Sequence, residues 1–219
     1  MATITKWSNV QISIQTALSA ANTISAISKA DPGVVTANGS TVATGDFVRM
    51  GDIEGMGEVN DRVFRASAAG SNGFALEGED TSGYETFVND GDGNAKVITF
   101  GLNMTTVRGL TAGGGDFDFI DVTTVHDTFR KQIPGLPQAS TYNFECLWDP
   151  SDSALQELKQ IADNQEKVAI RIAFAGGAGA KVVFLGYVGC TLLPGGTAQD
   201  VVTTPVTLTM FGRPTIYST

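Results

Sequence analysis

Residues 167–174 read KVAIRIAF: Val168, Ile170, Ile172 and Phe174 alternate with Lys167, Ala169, Arg171 and Ala173. Side chains on an extended strand point to opposite faces in turn, so a period of two marks a strand with one face on a core. The same period recurs on both sides of this stretch. Upstream, Ile98, Phe100, Leu102 and Met104 are predicted to share one face, as are Tyr142, Phe144, Cys146 and Trp148. Downstream, KVVFLGYVGCTLL (181–193) is apolar enough for a strand buried on both faces, and Val206, Leu208 and Met210 alternate with Thr207 and Thr209. At the start of the chain Val10, Ile12 and Ile14 alternate with Gln11, Ser13 and Gln15.

One segment breaks the period. In 149–165, DPSDSALQELKQIADNQ, the residues Leu155, Leu158, Ile161 and Ala162 recur at helical spacing. Ser153 followed by Gln156 resembles a capping box, and Asn164 is a stop signal, so a helix is expected over about 152–163. The fold class is therefore all-β with one α-helix, the helix covering an open face of a sheet.

Between about Val34 and Phe87 the strand-like pieces DFVRM, RVFRA and GFALE are short and separated by glycine-rich turns, as in a small β-module. NDGDGNA (89–95) reads as an exposed connector. Residues 105–138 carry TAGGGD, FDFIDV and IPGLP and read as a long, irregular stretch. Long connections inside a compact domain are uncommon and often functional, so this stretch is the first candidate for partner binding. The division expected is 1–41 for the first strand region, 42–95 for the inserted module and 96–219 for the main β-domain.

The formal net charge of -9 excludes a nucleic-acid grip through phosphates, which needs clustered Lys and Arg; Arg130–Lys131 is the densest basic pair. Twenty-six glycines with abundant Thr and Val fit many short strands. Cys146 and Cys190 each lie in an apolar run and read as buried thiols. No apolar run reaches the roughly 20 residues of a membrane helix, and Gln11, Ser13 and Gln15 interrupt any signal-peptide core near the N-terminus. A cytoplasmic site of synthesis is expected.

No catalytic set emerges. His126 is the single histidine, beside Asp127, with no G-x-S-x-G serine to activate. Asp90, Asp92 and Asn94 have the alternation of a calcium loop, but Ala95 replaces its glycine and Gly101 its glutamate. GGAGAK (176–181) lacks Walker spacing and reads as a hairpin turn. The pairs Asp116/Asp118 and Glu58/Asp61 read as solvated charges. No metal, cofactor or enzymatic activity is expected. Trp7 and Trp148 are the only tryptophans, too few for the aromatic platform of a carbohydrate-binding sandwich, and Trp148 reads as core.

Three stretches in order, DFIDVTTVHDTFRKQIPGLPQAS (118–140), YNFECLWDPSDSALQELKQIAD (142–163) and GGTAQDVVTTPVTLTMFGRPTIY (195–217), resemble the major tail tube proteins of long, non-contractile phage tails (siphophages). The matching positions are Ile120 to Thr123, a turn at Pro134, Gly135 and Leu136, the pair Asp149 and Pro150, and the ending Gly212, Arg213, Pro214. The resemblance spans about 96–217 plus the first strand; the 42–88 zone departs from the compact pattern and is taken as an outward-facing insertion.

The resemblance implies a sandwich or partial barrel that completes an inner β-barrel when six copies form a ring. Rings stack into a hollow tube that encloses a tape-measure protein and conducts DNA as cargo, with tail terminator and tail-tip proteins at its ends and no membrane partner. It implies a place in the virion tail after assembly in the host bacterium. An acidic wall suits a channel along which DNA slides. Candidate contacts between subunits or rings are Thr106, Arg108, Asp116, Asp118, Asp121, His126, Arg130 and Lys131. Another phage structural role (decoration, head completion or tail termination) is the alternative.

Overall fold

Alternating sequence becomes antiparallel strand throughout this computed structural model, which describes residues 9–174 and 179–218. The strands are β1 (Val10–Leu18), β2 (Asn22–Thr23), β3 (Ala26–Ile27), β4 (Val34–Thr36), β5 (Phe47–Gly51), β6 (Val63–Gly70), β7 (Gly73–Leu76), β8 (Asn94–Met104), β9 (Val107–Gly113), β10 (Phe117–Asp121), β11 (Gln132–Pro137), β12 (Thr141–Leu147), β13 (Val168–Phe174), β14 (Lys181–Cys190) and β15 (Thr203–Tyr217). The helix is α1 (Ser153–Asp163). The glycine-rich turn expected at 176–181 and Trp7 fall largely outside the described residues.

Among the described residues, thirteen strands form one sheet in the order β3-β4-β7-β6-β5-β8-β1-β13-β14-β15-β12-β9, with β2 on β8, and β10 and β11 pair only with each other. The sheet curls into a half-barrel. On one side of the sheet lies the principal core: Ile12, Ile14, Ile170, Ile172, Phe184 and Leu208, closed by Leu155, Leu158 and Ile161 of α1. Each such side chain, fully buried, contributes roughly 1.5–3 kcal/mol of transfer free energy. Both cysteines lie in this core as free thiols, and burial pushes the Cys146 thiol up to about 11. Trp148 is half-buried, its indole N–H donating to the Leu192 carbonyl at 3.0 Å.

Where the helix begins differs from the sequence reading. Asp152, not Ser153, is the cap: its carboxylate accepts from the Ala154 N–H at 2.8 Å. Gln156 reaches back to the Pro150 carbonyl at 2.6 Å instead of closing a box. Asp149 accepts from the Ser151 N–H at 2.9 Å and its hydroxyl at 2.7 Å, so Asp149 and Pro150 form the lead-in turn of the helix.

The prediction of one face for Ile98, Phe100, Leu102 and Met104 is also corrected. Leu102 and Met104 enter the principal core, whereas Ile98 and Phe100 join Phe47, Ala169, Val183, Leu185 and Tyr217 on the opposite side of the sheet. The cause is a pair of offsetting bulges. Between β1 and β8 the partners run Ile14 with Leu102, Gln15 with Phe100, then Ala17 with Thr99. Gly101 is extra on β8 and Thr16 extra on β1, so both strands exchange faces there. A Cβ at residue 101 would collide with the Thr16 side chain, so this crossing requires glycine.

Beyond β8 the sheet continues into the module, which has its own core of Ile24, Val35, Met50, Phe64, Phe74 and Leu76. That core begins before residue 42, since Ile24, Ile27 and Val35 belong to it. Fully buried Thr81 pins the turn above: its hydroxyl donates to the Ser28 carbonyl at 2.6 Å. β5 and β6 then fold over β13–β15. The Thr215 hydroxyl donates to the Val63 carbonyl at 2.8 Å, the Arg65 N–H donates to the Tyr217 hydroxyl at 2.6 Å, and Lys167 pairs with Asp61 at 2.7 Å. Burial pushes the Tyr217 phenol up to about 12.

Gly212, Arg213 and Pro214 form the bend that aims this strand end at the module. Leu185 pairs with Phe211 and Val183 with Thr215, so three residues of β15 oppose Phe184 alone. Gly212 has φ +79, which glycine adopts without penalty.

Candidate functional site

Residues 105–138, read as irregular, hold three strands. Among the described residues β9 pairs with β12 on one side only and ends the sheet. A strand with an unpaired side presents free N–H and C=O groups to another strand. Thr106 and Arg108 lie at its start: the Thr106 carbonyl accepts from the Leu147 N–H at 3.1 Å, and exposed Arg108 sits 3.6 Å from Asp200.

β10 and β11 form a hairpin that projects from the end of β9 and β12. Pro134, Gly135 and Leu136, predicted as a turn, lie within β11. A bulge at Phe117/Phe119 brings the Asp118 carbonyl against Gly135, where a Cβ would approach it to 2.8 Å. Absence of a side chain is what lets the two strands cross so closely. At the root, Gln138 donates to the Asp118 carboxylate at 2.9 Å and, through its N–H, to the Asp116 carbonyl at 2.8 Å.

The connection at 122–131 is organised by two aspartates. Asp121 accepts from the Thr123 N–H at 2.8 Å; the Thr123 hydroxyl and N–H hold its carboxyl below the usual carboxylate range. Asp127 accepts from the Thr124 N–H and hydroxyl at 2.9 and 3.0 Å and pairs with Lys131. The Lys131 ammonium first, then Thr124, holds the Asp127 carboxyl low. His126 and Arg130 are exposed, with no hydrogen-bond or ion-pair partner among the described residues.

Polar groups thus shape the arm, but its surface is apolar. Phe117, Phe119, Ile120, Val122, Val125, Phe129, Ile133 and Leu136 are eight of the seventeen large apolar side chains exposed on the described protein. Val125 is 98% exposed, Leu136 87% and Phe129 81%. No residue between Met104 and Phe144 enters a core as a buried hydrophobic. Exposed apolar residues concentrated in this way on one element mark an association site. The sequence reading singled out the arm's charged residues and missed these. Their one signal was a run of large apolar residues with no strict polar alternation, flanked by glycine and proline.

Elsewhere the described residues hold no metal-ligating cluster of three or more His, Cys, Asp or Glu. Asp90 accepts from the Asp92 N–H at 3.0 Å in a turn, and Asn94 donates to Asp52 at 2.7 Å as β8 begins. No helix among the described residues is long and apolar enough to cross a membrane.

The family described as "Phage tail tube protein, TTP" matches residues 54–219. The chain belongs to that family. The match begins inside the module and runs through the arm, helix and C-terminal strand of this tail tube protein. No curated protein matches it in sequence. Among solved structures, the chain described as "Tail of empty GTA particle computed with helical refinement, C6 symmetry" is 11% identical, covering 55% of this tail tube protein and 86% of that chain at TM-score 0.40. The sheath-tube complex of "an Extracellular Contractile Injection System" in its extended state gives 19% identity, 50% and 80% coverage and TM-score 0.35. The "anti-feeding prophage cap" gives 20%, 50% and 79%, and 0.34.

Proposed function

We propose that this tail tube protein is the repeating subunit of a long, non-contractile phage tail. Six copies form a ring, and rings stack into a hollow tube that encloses a tape-measure protein and later conducts DNA. Terminator and tip proteins close the two ends, and assembly takes place in the host bacterium before the tube joins the virion. The role is structural and needs no cofactor or catalysis.

The observation that carries this reading is the arm: eight large apolar side chains held in water by a hairpin that shares no core with its own chain. An isolated two-stranded hairpin is marginal in water, so surface of this kind gains most of its stability by docking. The unpaired side of β9 offers a second contact, completing a shared barrel within the ring through Thr106 and Arg108. Asp116, Asp118, Asp121, His126, Arg130 and Lys131, all on the arm, serve contacts between rings. The net charge of -9 supports a channel wall that repels phosphate. The module of 42–95, with the short strands before it, stands on the tube exterior as an appended domain.

Electron microscopy of the purified full-length protein tests this. Rings of six and tubes with an open channel are expected. A protein that stays monomeric at high concentration, with neither rings nor tubes, contradicts the proposal.

A further inference from the structure

The arm leaves β9 and β12 at the Gly113/Thr141 pair. The other end of β12, Leu147, pairs with Thr203 of β15, directly after the loop 191–202. Seven residues of strand separate the two ends by about 20 Å. That far end carries the second exposed apolar group of this half of the molecule: Leu147, Leu193, Val201 and Val202, at 38%, 66%, 50% and 47% exposure.

The loop is built, not slack. Trp148 donates through its N–H to the Val202 carbonyl at 2.9 Å and through its indole to the Leu192 carbonyl at 3.0 Å. Gly195 and Thr203 exchange backbone hydrogen bonds of 2.7 and 2.9 Å. Leu192 has φ +55, a left-handed conformation rare for leucine, and packs on the principal core. Its neighbour Leu193 is thereby turned outward. Strain at a non-glycine residue persists only where the surroundings enforce it, and it concentrates at functional surfaces.

The charges at the two ends are opposite. Segments 141–152 and 191–202 contain Glu145, Asp149, Asp152 and Asp200 and no Lys or Arg; Arg108 of β9, opposite Glu145 and 3.6 Å from Asp200, offsets one of these four charges and leaves the end net acidic. The arm tip, 122–131, carries Arg130 and Lys131 against one acid, Asp127, which Lys131 already pairs. Arg130 remains without a partner among the described residues and follows Phe129 in the chain.

We infer that the arm tip of one copy docks on the 191–202 surface of a second copy, seating Phe129 and Val125 against Leu193, Val201 and Val202, with Arg130 facing the acidic rim. The two surfaces lie at opposite ends of the same strands, so each docking leaves a free arm and a free receptor. Contacts of this head-to-tail kind grow as open stacks rather than closing as dimers. This inference rests on the tube reading and names the receiving surface within it.

Photo-crosslinking of assembled full-length protein is the test, with p-benzoylphenylalanine in place of Phe129. Mass spectrometry should find the crosslink between two copies, in peptides containing 191–202 or 145–149. A crosslink to any other segment, or none in intact tubes, overturns the inference but leaves the tube reading standing. Failure of the unmodified protein to form rings or tubes counts against the tube reading itself. A second variant keeps the test independent of the probe: Leu193→Asp lies on an exposed loop and should fold normally. It should raise the concentration needed for stacking about 30-fold or more, the factor expected when a central interface residue is lost. Unchanged stacking by this variant also overturns the inference.

Discussion

The module and the arm both extend beyond the principal core, and they treat their apolar residues in opposite ways. The module, residues 22–97, buries Phe64, Phe74, Met50 and Leu76 against one another. The arm, residues 116–138, leaves Phe117, Phe119, Val125 and Phe129 at least half exposed. Both are antiparallel and both are shaped by Asp- and Thr-mediated turns. What separates them is the number of strands: the module curls six short strands, β2 to β7, around one shared core, whereas the hairpin is a single layer of two. A layer without a second layer has no inside. The module is thus stable within its own chain, and the arm is suited to a partner.

The largest expected effect breaks this contrast at the arm. Replacing residues 114–140 by a short turn should abolish stacking while leaving the melting temperature of the unassembled protein within a few degrees of the parent. Sedimentation velocity and calorimetry read the two quantities, and a large loss of thermal stability would show that the arm is part of the fold after all. Next, Phe64→Ala in the module should cost about 3–5 kcal/mol, since the side chain is fully buried. Phe129→Ala on the arm should change the stability of the unassembled protein by less than about 0.5 kcal/mol. Urea titration of both variants measures the difference; equal costs would erase the distinction.

The strand periodicity, the helix and the buried thiols were legible in the sequence because each rests on local spacing. Val168, Ile170 and Ile172 all enter the principal core as their alternation predicts. The exchange of faces at Gly101 was not legible, since counting by twos assumes an unbroken pleat and the two bulges become visible only once β1 and β8 are paired. Asp152 and Ser153 are both competent caps, and the lead-in turn at Asp149 and Pro150 decides between them. The arm was legible as a place but not as a structure. Gly135 and the two prolines of β11 signal a turn in isolation, yet here they allow a close crossing with Asp118 and block further pairing. The receiving loop at 191–202 carries no motif at all; only the positive φ of Leu192 and the geometry of Trp148 mark it.

A moderate effect concerns pH. Burial raises the Cys146 thiol from its ordinary value near 9 to about 11, and the Tyr217 phenol from 10 to about 12. Folding favours the neutral form of each. The stability this confers is whole below the lower value of each pair and is lost as pH rises through the upper one. Unfolding free energy should therefore fall by about 3 kcal/mol between pH 9 and 11, about 2 kcal/mol of it through Cys146 and the rest through Tyr217. Denaturant titrations across that range should show the slope, and it should flatten in Cys146→Ala. A flat profile in the parent would mean that the thiol is less enclosed than the principal core implies.

The smallest effect sharpens the account at Gly101. Gly101→Ala should destabilise by about 1–3 kcal/mol through the clash with Thr16, and the second change Thr16→Gly should recover part of it. No recovery in the double variant, measured by thermal melts, would remove Thr16 as the cause.

Other copies are expected to cover the arm's apolar surface, whereas the module's apolar residues are covered by their own chain. Amide hydrogen exchange, followed by mass spectrometry on unassembled protein and on tubes, tests it in one measurement. Peptides from 63–76 should be protected equally in both states. Peptides from 117–137 should exchange readily in the unassembled protein and slow by at least about tenfold in tubes. Arm peptides that exchange as fast in tubes as in the free subunit would contradict the account.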